Sequence, residues 1–151
     1  GDCVADSNFM RPEHYMEFAF EPAAQVIEAI NKAGGMIIYH TGETSLPHLK
    51  NQVQLPPCTI NVGEGPSIAE VRRSLGVKKC LMGNFDPKFL RDAPAAQVAA
   101  ATDAMIRENM PGGSYIFDTG EGVMYTTPSE NVEAMMKAAK SAVSAVSQSG
   151  R

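Results

Sequence analysis

The sequence predicts an α/β protein built on a parallel sheet, and three observations carry that reading. Short apolar runs that read as buried strands, Met36–His40, Thr59–Val62, Lys79–Met82 and Ser114–Asp118, recur roughly 20 to 35 residues apart. Helical patterns fill the intervals between them. Polar, glycine-bearing segments follow each run: His40-Thr41-Gly42-Glu43, Gly63-Glu64-Gly65, Gly83-Asn84-Phe85-Asp86-Pro87 and Asp118-Thr119-Gly120-Glu121-Gly122. Strands alternating with helices pair in parallel through right-handed crossovers. Periodicity alone leaves an open doubly wound sheet and part of a barrel as alternatives.

The elements follow in order. Met16, Phe20, Ala23, Ile27 and Ile30 make one apolar stripe between Pro12 and Ala33, and Gly34-Gly35 stop that helix. Pro22 lacks a backbone donor and clashes with the preceding turn, so a kink or two helical segments is expected. Ser67 and Glu70 have capping-box spacing at the head of a helix that runs to Leu75, with Gly76 beyond its end. A helix from Ala95 to Asn109 places Val98, Met105 and Ile106 inward, and Pro111-Gly112-Gly113 turn the chain into the fourth strand. Thr127, Pro128 and Glu130 announce a last helix with Val132, Met135, Ala139, Val143 and Val146 on one face. One domain over residues 1–146 and a frayed tail over 147–151 are expected.

Composition narrows the function classes. The 151 residues are 44% hydrophobic and 20% charged, which fits a folded domain. No apolar run approaches the ~20 residues needed to cross a bilayer, so a cytoplasmic protein without a membrane role is expected. Cys3, Cys58 and Cys80 lack C-x-x-C spacing and read as free thiols. A formal net charge of −4 with no basic run makes nucleic acid a poor partner. No G-x-G-x-x-G, Walker loop or G-x-S-x-G elbow is present.

Chemistry is therefore sought where parallel strands end, because those loops share one rim. His40, Glu64, Asn84, Asp86, Asp118 and Glu121 are expected to face a common cleft there. Glu121 and Asp86 are the candidate catalytic carboxylates, and Asn84, Glu64 and Asp118 the candidate substrate-binding groups. Asp86, ahead of a proline, has an alternative role in holding its own loop. His14, His48, Arg72 and Arg73 read as packing or surface residues.

Gly83-Asn84-Phe85-Asp86-Pro87 resembles the G-N-x-D-P segment of the superfamily of uroporphyrinogen decarboxylases and corrinoid-dependent methyltransferases. Ala69 to Gly76 resembles the helix before that segment, Thr127-Pro128-Ser129-Glu130-Asn131-Val132 the start of its final helix, and Arg11 to Pro22 an earlier helix with its proline in place. The resemblance covers nearly the whole chain. It implies the C-terminal half of a (β/α)8 TIM barrel, four parallel βα units, with the N-terminal half missing and an isolated half inactive. Its methyltransferase branch implies a corrinoid such as methylcobalamin, free or on a corrinoid protein, and a zinc site for which His40, Glu43 and Glu121 are the candidate ligands. Cysteines of that branch are replaced here by Thr41 or Gly42 and by Glu121. The porphyrin-decarboxylase branch, or a non-catalytic tetrapyrrole-binding relative, is the alternative. Open sheet edges further imply an oligomer.

Overall fold

A computed structural model describes residues 1–111 and 113–149. Four parallel strands, β1 (Ile38–Glu43), β2 (Thr59–Val62), β3 (Leu81–Phe85) and β4 (Tyr115–Thr119), lie side by side in chain order. Helices α1 (Pro12–His14), α2 (Phe20–Lys32), α3 (Leu46–Gln52), α4 (Ile68–Leu75), α5 (Pro87–Asp92), α6 (Ala95–Asn109) and α7 (Ser129–Ser149) connect and flank them. Neighbouring strands that follow one another in sequence, each joined by a helix, are the arrangement of a barrel segment rather than of a doubly wound sheet, whose strand order reverses.

The interruption expected near Pro22 is real but lies upstream of it. Tyr15–Ala19 form a π-helical turn in which the Phe20 amide donates to the Tyr15 carbonyl five residues back. Pro22 then sits in the first turn of α2, where its missing donor is tolerated. α4 starts as its sequence indicates, with Ser67 Oγ accepting from the Glu70 amide at 3.1 Å, and ends at Gly76, whose φ of 62° is left-handed. The short helices α3 and α5 have too few residues for a periodic signal, and the sequence pattern misses both. The first strand spans Ile38–Glu43 rather than Met36–His40, with Met36 fully exposed, and the third starts at Leu81 rather than Lys79 and extends three residues beyond Met82 to Phe85. α7 starts at Ser129, and Thr127 Oγ is buried without a partner instead of capping it. The helix continues through Ser149, so the expected tail is helical as far as the described residues reach.

The two faces of the sheet differ. Tyr39, Thr41 and Glu43 alternate along β1 and are buried against Tyr15, Gln52 and His48 respectively, which belong to the helical layer. Ile60 and Leu81 continue that side. A second cluster of Phe85, Leu90, Val98 and Met135 packs under α5, α6 and α7. Ile38, His40 and Gly42 therefore point to the opposite face, where Ile38 and Ile116 remain 47% and 41% exposed. In a closed barrel this concave face is the filled interior.

Arg72 departs from the surface role its position on α4 suggests. It is buried, and its guanidinium donates to the carbonyls of Val77, Lys79 and Ser114, tying α4 to the chain entering β3 and β4. Burial pulls its pKa below the usual arginine value. Asn131, at the head of α7, similarly donates to the carbonyls of Leu90 and Ala93 at 2.8 and 2.9 Å.

Candidate active site at the strand ends

The rim at the C-terminal ends of the strands is built by close backbone packing. A side chain at Gly63 would meet the Gly42 carbonyl at 2.2 Å, and one at Gly120 would meet the Glu64 amide at 2.7 Å. The loop after β4 can thus fold back over the ends of β2 and β1. It carries Glu121 with it: a Cβ at Gly42 would stand 1.9 Å from the Glu121 carboxyl oxygen. First and last strands are in this way joined at the rim, although the sheet separates them by two strands. His40 lies two residues before Gly42 on the same face, half-buried, but within β1 rather than at its end, which falls three residues later at Glu43.

The other candidate residues divide. Asp118 pairs with Asn84 across β3 and β4 and is half-buried at the rim. Glu64 stands beneath Gly120, and one of its carboxyl oxygens is buried with no hydrogen bond. Asn84 uses its amide nitrogen to bind the carbonyls of Gly63 and Pro66 at 2.9 and 2.8 Å, which fixes the loop after β2. Its oxygen is buried and unpartnered. Asp86 caps α5, accepting from the Lys88 amide at 2.7 Å, and is exposed. The loop-holding alternative for Asp86 is thus present in the structure.

Glu43 lies apart from His40. As an odd residue of β1 it turns into the helical layer, where it is fully buried. Its Oε1 accepts from Ser7 Oγ at 2.7 Å, the Thr44 amide at 2.8 Å and the Ser45 amide at 2.6 Å, and its Oε2 accepts from the Ser7 amide at 2.9 Å. His48 faces it, with Nδ1 3.3 Å from Oε2, while Nε2 reaches the Met10 carbonyl at 2.9 Å. A carbonyl can only accept, so Nε2 carries a proton. These contacts bind the segment before α1 to the end of β1. No sequence signal marks Ser7, and His48 reads there as a packing histidine. A carboxylate so occupied, on the far side of the strand, cannot join His40 around one ion, and among the described residues no three such side chains form a metal-binding group.

A second network reaches the same end of β1. Tyr15 donates to the Tyr39 hydroxyl and Tyr39 to Asp2, each at 3.3 Å, and the Asp2 amide donates to the His40 carbonyl. Burial pushes the Tyr15 hydroxyl up to about 12 and moves Tyr39 upward as well.

With this geometry in place, the relatives can be read. The family model for uroporphyrinogen decarboxylase (URO-D) matches residues 2–142. The chain belongs to the uroporphyrinogen decarboxylase family. A uroporphyrinogen decarboxylase of Anaeromyxobacter dehalogenans is 34% identical over 128 residues, covering 83% of this chain and 36% of that protein. Its counterpart in Methylobacillus flagellatus is 28% identical over 129 residues, with 82% and 36% covered. A solved structure, a methyltransferase from Methanosarcina mazei, superimposes with a TM-score of 0.74 at 23% identity, covering 91% of this chain and 40% of that one. The last likeness establishes the fold: this member of the URO-D family folds as the C-terminal half of the barrel. It spans under half the length of these relatives.

Proposed function

We propose that this URO-D family half-barrel belongs to a methyltransferase-like enzyme that moves a methyl group from a corrinoid to a nucleophilic acceptor. The observation that supports the reading is the loop after β4, which brings the Glu121 carboxylate over Gly42, on the face of β1 that His40 shares two residues earlier. An imidazole and a carboxylate together accept the proton of a thiol or similar acceptor, which raises its nucleophilicity. His40 and Glu121 would take the acceptor's X–H proton, and a bound corrinoid would supply the methyl group for the new X–C bond, retaining the electron pair of the bond that breaks. Asp118 lies opposite Asn84 on β4, and Asn84 fixes the loop after β2 that carries Glu64. Asp86 keeps one carboxyl oxygen beyond its cap bond for a ligand at the same rim.

Zinc is not part of the proposed step. A zinc shell takes three or four protein ligands, and with Glu43 turned away this chain offers two of the three candidates to one side of β1. A corrinoid would dock over the same rim, whose loops are held together by close backbone packing between Gly42, Gly63 and Gly120.

The second reading is a porphyrin decarboxylase, favoured by the 34% identity to a uroporphyrinogen decarboxylase. Spectroscopic titration of the chain with methylcobalamin and, separately, with uroporphyrin decides between them. Cobalamin binding that weakens in His40→Ala and Glu121→Gln is the expected result. Uroporphyrin binding without cobalamin binding overturns the proposal in favour of the second reading.

A further inference from the structure

An open groove of about 600 Å³ runs between the segment before α1 and the start of α3, beside the end of β1 and lined by none of the rim residues described above. Its walls include Phe9, Met10, Pro12 and Pro47, and its polar groups come from Arg11, His14, Ser45 and His48. In a chain of net charge −4, no aspartate or glutamate lines it. The guanidinium of Arg11 is exposed and makes no ion pair or hydrogen bond among the described residues, whereas those of Arg72, Arg91 and Arg107 are each committed to acceptors. Two buried acids stand near the groove without lining it: Asp6 accepts from the Asn8 amide at 2.7 Å, and Glu43, held by four donors, lies behind His48. His48 is 1% exposed by side chain, and its Nδ1 makes no hydrogen bond of acceptable geometry.

We propose that this groove binds a small molecule with one oxyanion group, carboxylate or phosphate, on an apolar body. The volume suits a small ligand. The guanidinium of Arg11 matches an oxyanion with two parallel donors, and His14 adds a further donor at the wall. Phe9, 69% exposed, offers an aromatic face to the ligand's body. The groove is tied to the end of β1 through Ser7 and Ser45, both held by Glu43. The inference does not depend on which of the two reactions the rim supports.

The test is a nuclear magnetic resonance titration of the whole chain with benzoate, with phenyl phosphate, and with benzamide as the uncharged control. Benzoate or phenyl phosphate is expected to move the amide signals of Ser7, Asn8 and Ser45 and the ring signals of His14 and His48. The tighter of the two identifies the oxyanion. Arg11→Gln, a surface change checked by an unaltered melting temperature, is expected to weaken that binding by about tenfold or more. Shifts of equal size with benzamide, unchanged affinity in R11Q, or no shifts at these residues would overturn the proposal, and none of these results bears on cobalamin binding at the rim.

Discussion

At the scale of single residues, burial sets the consequences. Arg72 donates to three carbonyls from a site only 8% exposed, so Arg72→Met leaves those acceptors unpaired and is expected to cost about 3 kcal/mol. Urea denaturation with an unchanged slope and a lowered midpoint would show it; a midpoint equal to wild type would mean that water replaces the guanidinium. The glycines separate two kinds of requirement. Gly76→Ala meets no atom within 4 Å and carries only the left-handed backbone penalty, about 1 kcal/mol. Gly42→Ala, with φ 70°, adds a collision with Glu121 and is expected to cost more and to abolish cobalamin binding. Equal losses in the two variants would show that Glu121 moves freely. Titration points the same way. Tyr15 is buried and its hydroxyl pushed up to about 12, with Tyr39 and Tyr115 also raised by burial. Unfolded tyrosine ionises near ~10, so the native state holds protons that the unfolded chain releases. Stability is therefore unaffected by these groups at neutral pH and falls as pH rises from about 10, the Tyr15 share being lost by about 12. Tyrosinate absorbance that rises below the unfolding transition in a Tyr125→Phe background, which removes the exposed tyrosine, would contradict this.

Between elements, hydrogen-bonded side chains do what a short core cannot. Glu43 joins β1, the turn into α3 and the segment before α1 through four accepted bonds. Glu43→Gln replaces one acceptor oxygen by a donor, and a loss of about 2–3 kcal/mol is expected. Hydrogen exchange should quicken at the Ser7, Thr44 and Ser45 amides while β3 and β4 stay protected, since those strands share no bond with Glu43. Uniform acceleration across the sheet would assign Glu43 to global stability instead. Asn131 plays the same part between α5 and α7, and the Asn109 side chain accepts from the Ala69 amide at 3.0 Å to join α6 to α4. Each is a polar residue whose sequence context looks like a helix end and whose partner is some forty positions away.

For the whole molecule, the concave face governs behaviour. β1 and β4 are the two edges of the sheet, and the Asp2 amide bound to the His40 carbonyl already begins to cover the β1 edge. Ile38 and Ile116 stay nearly half exposed on the inner side, a surface that a closed barrel would fill. Self-association at micromolar concentration is the expected result in light scattering, and Ile116→Glu is expected to reduce it with little change in the unfolding midpoint. A monomer with no affinity for a hydrophobic dye would show instead that the face is stable against water. No helix among the described residues is long and apolar enough to cross a membrane.

The sequence by itself determined the alternation of strands and helices, the α4 cap and stop, and the family, because these depend on local spacing: Ser67 with Glu70, Gly76 after Leu75, and the Gly83 to Pro87 run are all read within a few positions. It also placed Glu64, Asp118 and Glu121 at or just past strand ends, since parallel strands deliver their last residues to the same rim, whereas His40 stands three residues short of the end of β1. Only the tertiary structure decided which of them meet. Whether Glu43 joins His40 turns on the two-residue alternation of β1, and a strand start two residues away from the apolar run, with a register irregularity between Tyr39 and Glu43, is invisible to composition. That Glu121 crosses the rim to Gly42 depends on backbone contact between Gly42, Gly63 and Gly120, residues almost eighty positions apart at the extremes. The burial of Arg72 and His48 has the same origin: long-range carbonyls and a carboxylate supply their partners, and no periodicity encodes a partner that the fold alone brings near.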